Sequence, residues 1–303
     1  MPPLLEEEPL ETPKIVLYHQ THYYNGQFVS LLPLLSPGCG VTHVNIAAIH
    51  VNKDPGDVTL NDDPYSAPKN DALWAEVRIL QSRGIKVLGM LGGAALGTYP
   101  RLDGDIESFS TYYKPLRDMV RWCGLDGLDL DVEESMSLSG ITRLIDQLRS
   151  EFGPDFILTL TPVATAMWGE KHLSGFDYAK IERIRGKDIA WYNTMFYCGW
   201  GSMETTEHVD KIMESGWPAE KIVIGLSTNP ETKGWVSGGV LRESLAAVVR
   251  KYPRIGGVMG WEYFNSITAI EEDQNPWCWP QFISGVLRPS VQPIMGEEPL
   301  TVA

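Results

Sequence analysis

"DGLDLDVE", residues 126–133, sets three acids, Asp129, Asp131 and Glu133, in alternation with Leu128, Leu130 and Val132. Successive side chains of a strand point to opposite faces, so the acids share one face and the aliphatics the other. A half-exposed antiparallel strand with its acids in water would show the same pattern. So would a barrel strand with one face packed on helices and a carboxylate-lined face carrying an active site. The stretches on either side decide between them.

Apolar strand-like runs recur at residues 14–20, 43–51, 85–93, 125–133, 156–164, 189–197, 221–228 and 255–263. Helix-like segments separate many of them, clearest at 71–84, 105–124 and 139–153, with three more in "DYAKIERIRG", "ETTEHVDKIMESG" and "GGVLRESLAAVVRKY". Several end in Gly, the residue that most readily adopts the left-handed conformation of a helix stop. Strands alternating with helices predict a parallel sheet, and eight such units predict an α/β fold of the (β/α)8 TIM-barrel type. In that fold catalytic groups stand at the carboxyl ends of the strands, where Glu133 closes the fourth run. About 26 residues join the seventh run to the eighth, enough for one helix but not for a large insertion domain. The groove on that side should therefore be open. Residues 14–288 are expected to form the catalytic domain, residues 1–13 an acidic flexible tail and residues 289–303 a second tail.

Hydrophobic residues make up 43% and charged residues 21% of the 303, which fits a water-soluble globular chain. A net charge of −14 would repel phosphate backbones, so neither nucleic acid nor a membrane is expected as a partner. A neutral sugar chain suits that charge. Cys39, Cys123, Cys198 and Cys278 are scattered and signal neither a zinc site nor a disulfide framework. With no signal peptide in "MPPLLEEEPLETPK" and no Asn-x-Ser/Thr sequon, a cytoplasmic location is expected, a secreted mature form remaining open. A monomer is expected.

Three carboxyl groups spaced about 6–7 Å along a strand and walled by aliphatics cannot all ionise cheaply, so at least one should keep a proton near neutral pH. That suits a general acid, with Glu133 nearest the mouth, Asp131 one layer below and Asp129 deeper. Asp-x-Asp-x-Glu can also offer oxygen ligands to a metal, or serve structure alone. No HExxH, C-x-x-C or P-loop accompanies it.

The stretch resembles the D-G-x-D-x-D-x-E signature of glycoside hydrolase family 18, with all five fixed positions present. "KVLGMLGG" is similar to the family's third-strand S-x-G-G motif, "TMFY" to its sixth-strand M-x-Y and "GVMGWEYFN" to its eighth-strand Trp segment. The resemblance spans about residues 14–288, with Met90 standing where the family usually has Ser. It implies Glu133 as general acid/base, Asp131 orienting the substrate's 2-acetamido group, Asp129 supporting Asp131, and Tyr197 bonding the acetamido oxygen. It further implies Trp261 as the apolar floor under the reacting sugar. Tyr18, Gln20, Met195, Asn193 and Trp200 are expected to contribute to substrate binding. Glu262, adjoining Trp261, should point the other way; otherwise a second catalytic carboxylate would be available. No cofactor or metal is implied, because the family uses the substrate's own acetamido group as nucleophile.

Within the family, "GMLGGAALG", "LDLDVEESMS", "WYNTMFYCGWGSM" and "GGVMGWEYFNS" most resemble small fungal endo-β-N-acetylglucosaminidases. That resemblance implies cleavage of the chitobiose core of high-mannose or hybrid N-linked glycans. An endo-chitinase of the same family, or a catalytically silent carbohydrate-binding barrel, are the alternatives.

Overall fold

The computed structural model describes residues 12–268 and 275–289. Eight parallel strands follow one another around a closed sheet. They are β1 (Lys14–His19), β2 (His43–Val51), β3 (Lys86–Gly92), β4 (Gly127–Asp131), β5 (Ile157–Leu160), β6 (Trp191–Met195), β7 (Ile222–Ser227) and β8 (Gly257–Trp261). Each pairs with its sequence neighbours, and β1 pairs with both β2 and β8, which closes the ring. The expected barrel is present, and no large insertion separates β7 from β8. Of the two expected tails, only residues 12, 13 and 289 are described.

Helices α1 (Asp71–Ser82), α2 (Ile106–Cys123), α3 (Leu138–Phe152), α4 (Tyr178–Arg185), α5 (Glu207–Glu214), α6 (Gly238–Lys251) and α7 (Cys278–Leu287) cover the outside. Their start signals work as the chemistry predicts. The carboxylate of Asp105 accepts from the Ser108 amide, and the Ser137 hydroxyl from the Gly140 amide, satisfying orphan donors of α2 and α3. The first unit departs from the pattern. A 3-10 turn, Leu32–Leu35, takes the place of its α-helix, with Pro33 in the first turn, where a missing amide is tolerated. Before it, Tyr23–Tyr24 pairs with Gln27–Phe28 across Asn25 and Gly26, both at positive φ, the conformation of a tight hairpin turn. A short strand, Val58–Leu60, also pairs antiparallel with the end of β2.

The apolar interior is divided in two by the sheet. Leu128 and Leu130 face outward into the large strand–helix layer with Ile15, Leu17, Val44 and Leu158. Inside the ring is a separate cluster that includes Val16, Met90, Trp191, Val223 and Met259. Its lower end is closed by Trp191, against whose ring His43 packs edge-on at 4.7 Å and Lys14 lies at 5.3 Å. The barrel is thus filled below and leaves its polar residues above that plug.

Candidate active site

The parity read from the sequence sends Asp129 and Asp131 inward. Asp129 stands in register with Met90 on β3 and Thr159 on β5. It is fully buried and sits among four side-chain donors. The Tyr18 hydroxyl donates to Oδ2 at 2.6 Å, the Thr159 hydroxyl to Oδ1 at 2.5 Å and Asn193 Nδ2 to Oδ1 at 3.0 Å. Thr161 Oγ1 lies 2.9 and 2.8 Å from the two oxygens. Asn193 is itself oriented by Trp191 Nε1, which donates to its Oδ1 at 2.9 Å. Burial raises the Asp129 pKa, while the donors from Thr159, Tyr18, Thr161 and Asn193 oppose that rise by stabilising the anion.

Asp131 lies one pleat higher and has no such company. Its Oδ1 is buried without a hydrogen-bond partner among the described residues. Burial first, then the negative neighbours Glu133 and Asp129, push its carboxyl well above the usual range. Burial also raises Glu133. Two carboxyl groups that repel each other in a poorly solvated site tend to share a proton rather than both ionise, so the upper pair holds its last proton to higher pH than free carboxyls do.

β4 ends at Asp131, and Glu133 is the second residue past it, half-buried at the rim. Its loop is pinned on both sides. Glu134 accepts from the backbone amides of Gly97 and Tyr99 at 2.6 and 2.8 Å, and Asp103 accepts from the Ser137 amide at 2.8 Å. Beneath that loop the chain needs Gly92 and Gly93. Both have positive φ, and a Cβ on Gly92 would meet the Asp131 carbonyl oxygen at 2.5 Å.

Tyr197, two residues past β6, is buried beside this pair, and burial with the charges of Asp131 and Glu133 holds its phenol protonated. Its hydroxyl makes no hydrogen bond among the described residues and is available as a donor. Trp261 closes β8 half-buried, its ring 5.4 Å from that of Tyr18, and both it and Trp200 pack on the inner cluster. Met195 is buried in the same cluster.

The Glu262 carboxylate turns to the loop after β1. It accepts from the amides of Gln20 and Thr21 at 2.9 Å each and from the Thr21 hydroxyl at 2.8 Å. It is thereby spoken for as an acceptor and leaves no free second carboxylate on β8. Among the described residues, no group of three or more His, Cys, Asp and Glu side chains is placed to hold a metal ion.

The structure thus brings Glu133, Asp131, Asp129 and Tyr197 together with Trp261, Trp200 and Met195. Tyr18 and Asn193, expected to touch substrate, instead lie beneath the groove at 1% and 0% exposure, because their polar atoms are drawn onto Asp129. Gln20 stands at the rim. Thr159 and Thr161 were missed. The signal was present: in "LTLTP" they alternate with Leu158 and Leu160, and pairing the fifth strand beside the fourth puts them on the acidic face.

The model of glycosyl hydrolases family 18 matches residues 14–238 of the chain. This protein belongs to glycosyl hydrolase family 18. Among solved structures, this family 18 chain is similar to a chitinase from Aspergillus fumigatus, at 52% identity and a TM-score of 0.83, covering 88% of this chain and 96% of that one. It is also similar to a fungal endo-beta-N-acetylglucosaminidase of family 18, at 42% identity and a TM-score of 0.87, covering 92% of this chain and 99% of that one. Among curated relatives, Chitinase 2 of Rhizopus oligosporus is 24% identical over 261 residues. The family 18 chain spans 45% of that relative's length and 28% of Chitinase C of Streptomyces lividans.

Proposed function

We propose that this family 18 glycosidase hydrolyses the GlcNAc-β1,4-GlcNAc bond in the chitobiose core of high-mannose or hybrid N-linked glycans, with retention of anomeric configuration. The observation that carries the chemistry is the contrast on β4, a buried Asp131 whose Oδ1 has no hydrogen-bond partner among the described residues, beside Glu133 and above a donor-saturated Asp129. Glu262 is engaged by the β1 loop, and family 18 membership favours the substrate-assisted route, in which the substrate's acetamido group is the nucleophile.

In that route Glu133 donates its proton to the glycosidic oxygen as the C1–O bond breaks, and the acetamido carbonyl oxygen forms a bond to C1. The resulting oxazolinium is held at its N–H by Asp131, while the Tyr197 hydroxyl donates to the acetamido oxygen and fixes its approach. Trp261 supplies an apolar floor for the C–H face of the sugar. Water then attacks C1, gives its proton to Glu133, and reopens the ring. Asp129 touches no substrate in this scheme; its charge, fixed by four donors, helps to keep a proton on the pair above.

The barrel wall without a large insertion between β7 and β8 supports a bulky branched substrate, as does the similarity to the fungal endo-beta-N-acetylglucosaminidase. A chitin-cleaving activity is the second reading, favoured by the 52% identity to the Aspergillus fumigatus chitinase. Incubation with ribonuclease B and with chitin hexamer, read by mass, separates them. Conversion of ribonuclease B to the form bearing one GlcNAc supports the N-glycan reading. Cleaved hexamer with intact ribonuclease B overturns it in favour of a chitinase.

A further inference from the structure

The chain around Glu133 is anchored twice. Asp131, the last residue of β4, accepts through its carbonyl from the Gly93 amide at 2.9 Å. Three residues on, the Glu134 side chain crosses to the loop after β3. One of its carboxylate oxygens accepts from the Gly97 amide at 2.6 Å and the other from the Tyr99 amide at 2.8 Å. Glu133 lies between these anchors, and its own carboxyl makes no hydrogen bond among the described residues. Where that carboxyl points is therefore set by the backbone that carries it and by packing, not by polar partners of its own.

The two amides belong to the start of a short helix, Thr98–Leu102, which begins at Gly97 with a φ of 114° and has no side-chain cap from that residue. The first amides of any helix lack a partner within it. Here a carboxylate 37 and 35 positions along the chain satisfies two of them. Hydrogen bonds to an ionised acceptor are stronger than neutral ones, and because both oxygens are used the pairing fixes direction as well as distance.

A carboxylate tied to a loose loop would hold nothing in place, and this loop is not loose. Tyr99 is fully buried, its hydroxyl donates to the Leu91 carbonyl of β3 at 2.7 Å, and its ring covers Gly92 so closely that a Cβ there would collide with it. The buried Thr98 hydroxyl accepts from the Val51 amide at 3.2 Å, and Arg101 Nη1 donates to the Val51 carbonyl at 3.2 Å. The short helix is thus fastened to the last residues of β2 and β3. Glu134 passes that rigidity to the residue before it.

A general acid must come within about 2.6–3.2 Å of the oxygen it protonates. A displacement of about 1 Å can cost on the order of 10²-fold in rate. We propose that Glu134 is a positioning residue for the general acid: by holding the Gly97 and Tyr99 amides it fixes the backbone of Glu133 and so aims the Glu133 carboxyl at the departing glycosidic oxygen. The inference rests on Glu133 being the proton donor, and it holds for either a chitin or an N-glycan substrate.

The test compares kcat/KM for two leaving groups on one oligosaccharide. The first substrate is ribonuclease B or chitin hexamer, whichever the wild type cleaves, and its leaving sugar needs a proton. The second is the 4-nitrophenyl glycoside of the released oligosaccharide, whose leaving group departs with little help from an acid. Glu133→Gln gives the full effect of a missing proton donor. Glu134→Ala removes both bonds to the β3 loop, while Glu134→Gln keeps the length and one acceptor oxygen. Thermal melts show whether each variant is folded, and Glu134→Gln carries the test if the alanine variant is not. Glu134→Ala should lose roughly 10–100-fold on the sugar leaving group but less than about threefold on the nitrophenyl glycoside, with Glu134→Gln between it and wild type. A residue that only supported the fold would depress both substrates alike. Equal losses on the two substrates in the folded variants, or no loss on either, would overturn the positioning role and leave Glu133 as the acid. Equal losses in Glu133→Gln would instead remove the proton donor on which the inference rests.

Discussion

Asp129 and Asp131 differ by one pleat of β4, yet Asp129 accepts from Tyr18, Thr159, Thr161 and Asn193 while the buried Asp131 Oδ1 has no donor at all. The same side chain, on the same face of the same strand, is given opposite treatment. An ionised carboxylate needs donors, and the lower layer provides them from three other strands. The upper layer withholds them, so charge there is expensive and the carboxyl pKa is pushed up. The lower carboxylate is saturated with donors, and the upper one keeps a buried oxygen without any among the described residues.

That contrast can be broken from the top down. Glu133→Gln keeps the shape of the side chain but removes its transferable proton. A fall of about 10²–10⁴ in kcat is expected, the usual worth of a general acid, measured by product release from ribonuclease B; full activity would remove Glu133 from the chemistry. Asp131→Asn should lower hydrolysis by roughly 10², since it removes the charge that holds the oxazolinium. A preformed oxazoline donor should still be consumed by that variant.

Asp131→Asn also tests the electrostatics with a definite sign. The Asp131 carboxyl has a raised pKa in the folded state, so its contribution to stability is present at low pH and is lost as pH rises through that raised value. Asparagine has no charge to bury. The variant should therefore melt higher than wild type at pH 8, by about 2–4 °C for roughly 1 kcal/mol, and the gap should shrink towards pH 4. Without a negative neighbour, Glu133 should also ionise more readily, moving the alkaline limb of the activity profile to lower pH. A limb that stays in place would show that the two carboxyls are not coupled.

Smaller effects come from the layer below. Thr161→Val preserves shape and takes one donor from Asp129, with an expected loss of about 1–3 kcal/mol in urea unfolding at neutral pH. The donors favour the charged form, so this loss should diminish as acid protonates Asp129. The smallest change belongs to Cys198, exposed directly after Tyr197 and with its thiol pKa raised by burial and the charge of Glu133. A thiol held protonated there has no part in the scheme, so Cys198→Ser should alter kcat/KM by less than about twofold; a loss comparable to that of Asp131→Asn would give it one.

Much of this arrangement was legible in one dimension. Period-two alternation at 126–133 fixed which acids face inward, and the recurrence of strands fixed the barrel, because both signals are local. The hairpin at 23–28 went unread, because its two-residue strands are too short to register as alternation, although Asn25–Gly26 between aromatics marks its turn. The partners of Asp129 were harder. Tyr18 and Asn193 were placed in the groove because strand parity gives the face but not the depth. Depth depends on the stagger between strands, which sets Asp129 level with Thr159 and leaves Tyr18 and Asn193 beneath the mouth.

The seam between β1 and β8 has a consequence for how such a molecule comes into being. The Gln20 amide and the Glu262 carboxylate that receives it are 242 positions apart, and the strand pairing beside them is as remote. Entropy grows slowly with the span of a closed loop, about 0.6 kcal/mol per doubling, so this reach weighs little on the finished protein. It weighs on the rate, because such distant partners must find one another before the ring is whole. Until they do, both β1 and β7 are unprotected sheet edges, open to pairing with another copy of the chain. On the ribosome, the last strand to emerge is therefore also the one that turns an aggregation-prone sheet into a sealed one.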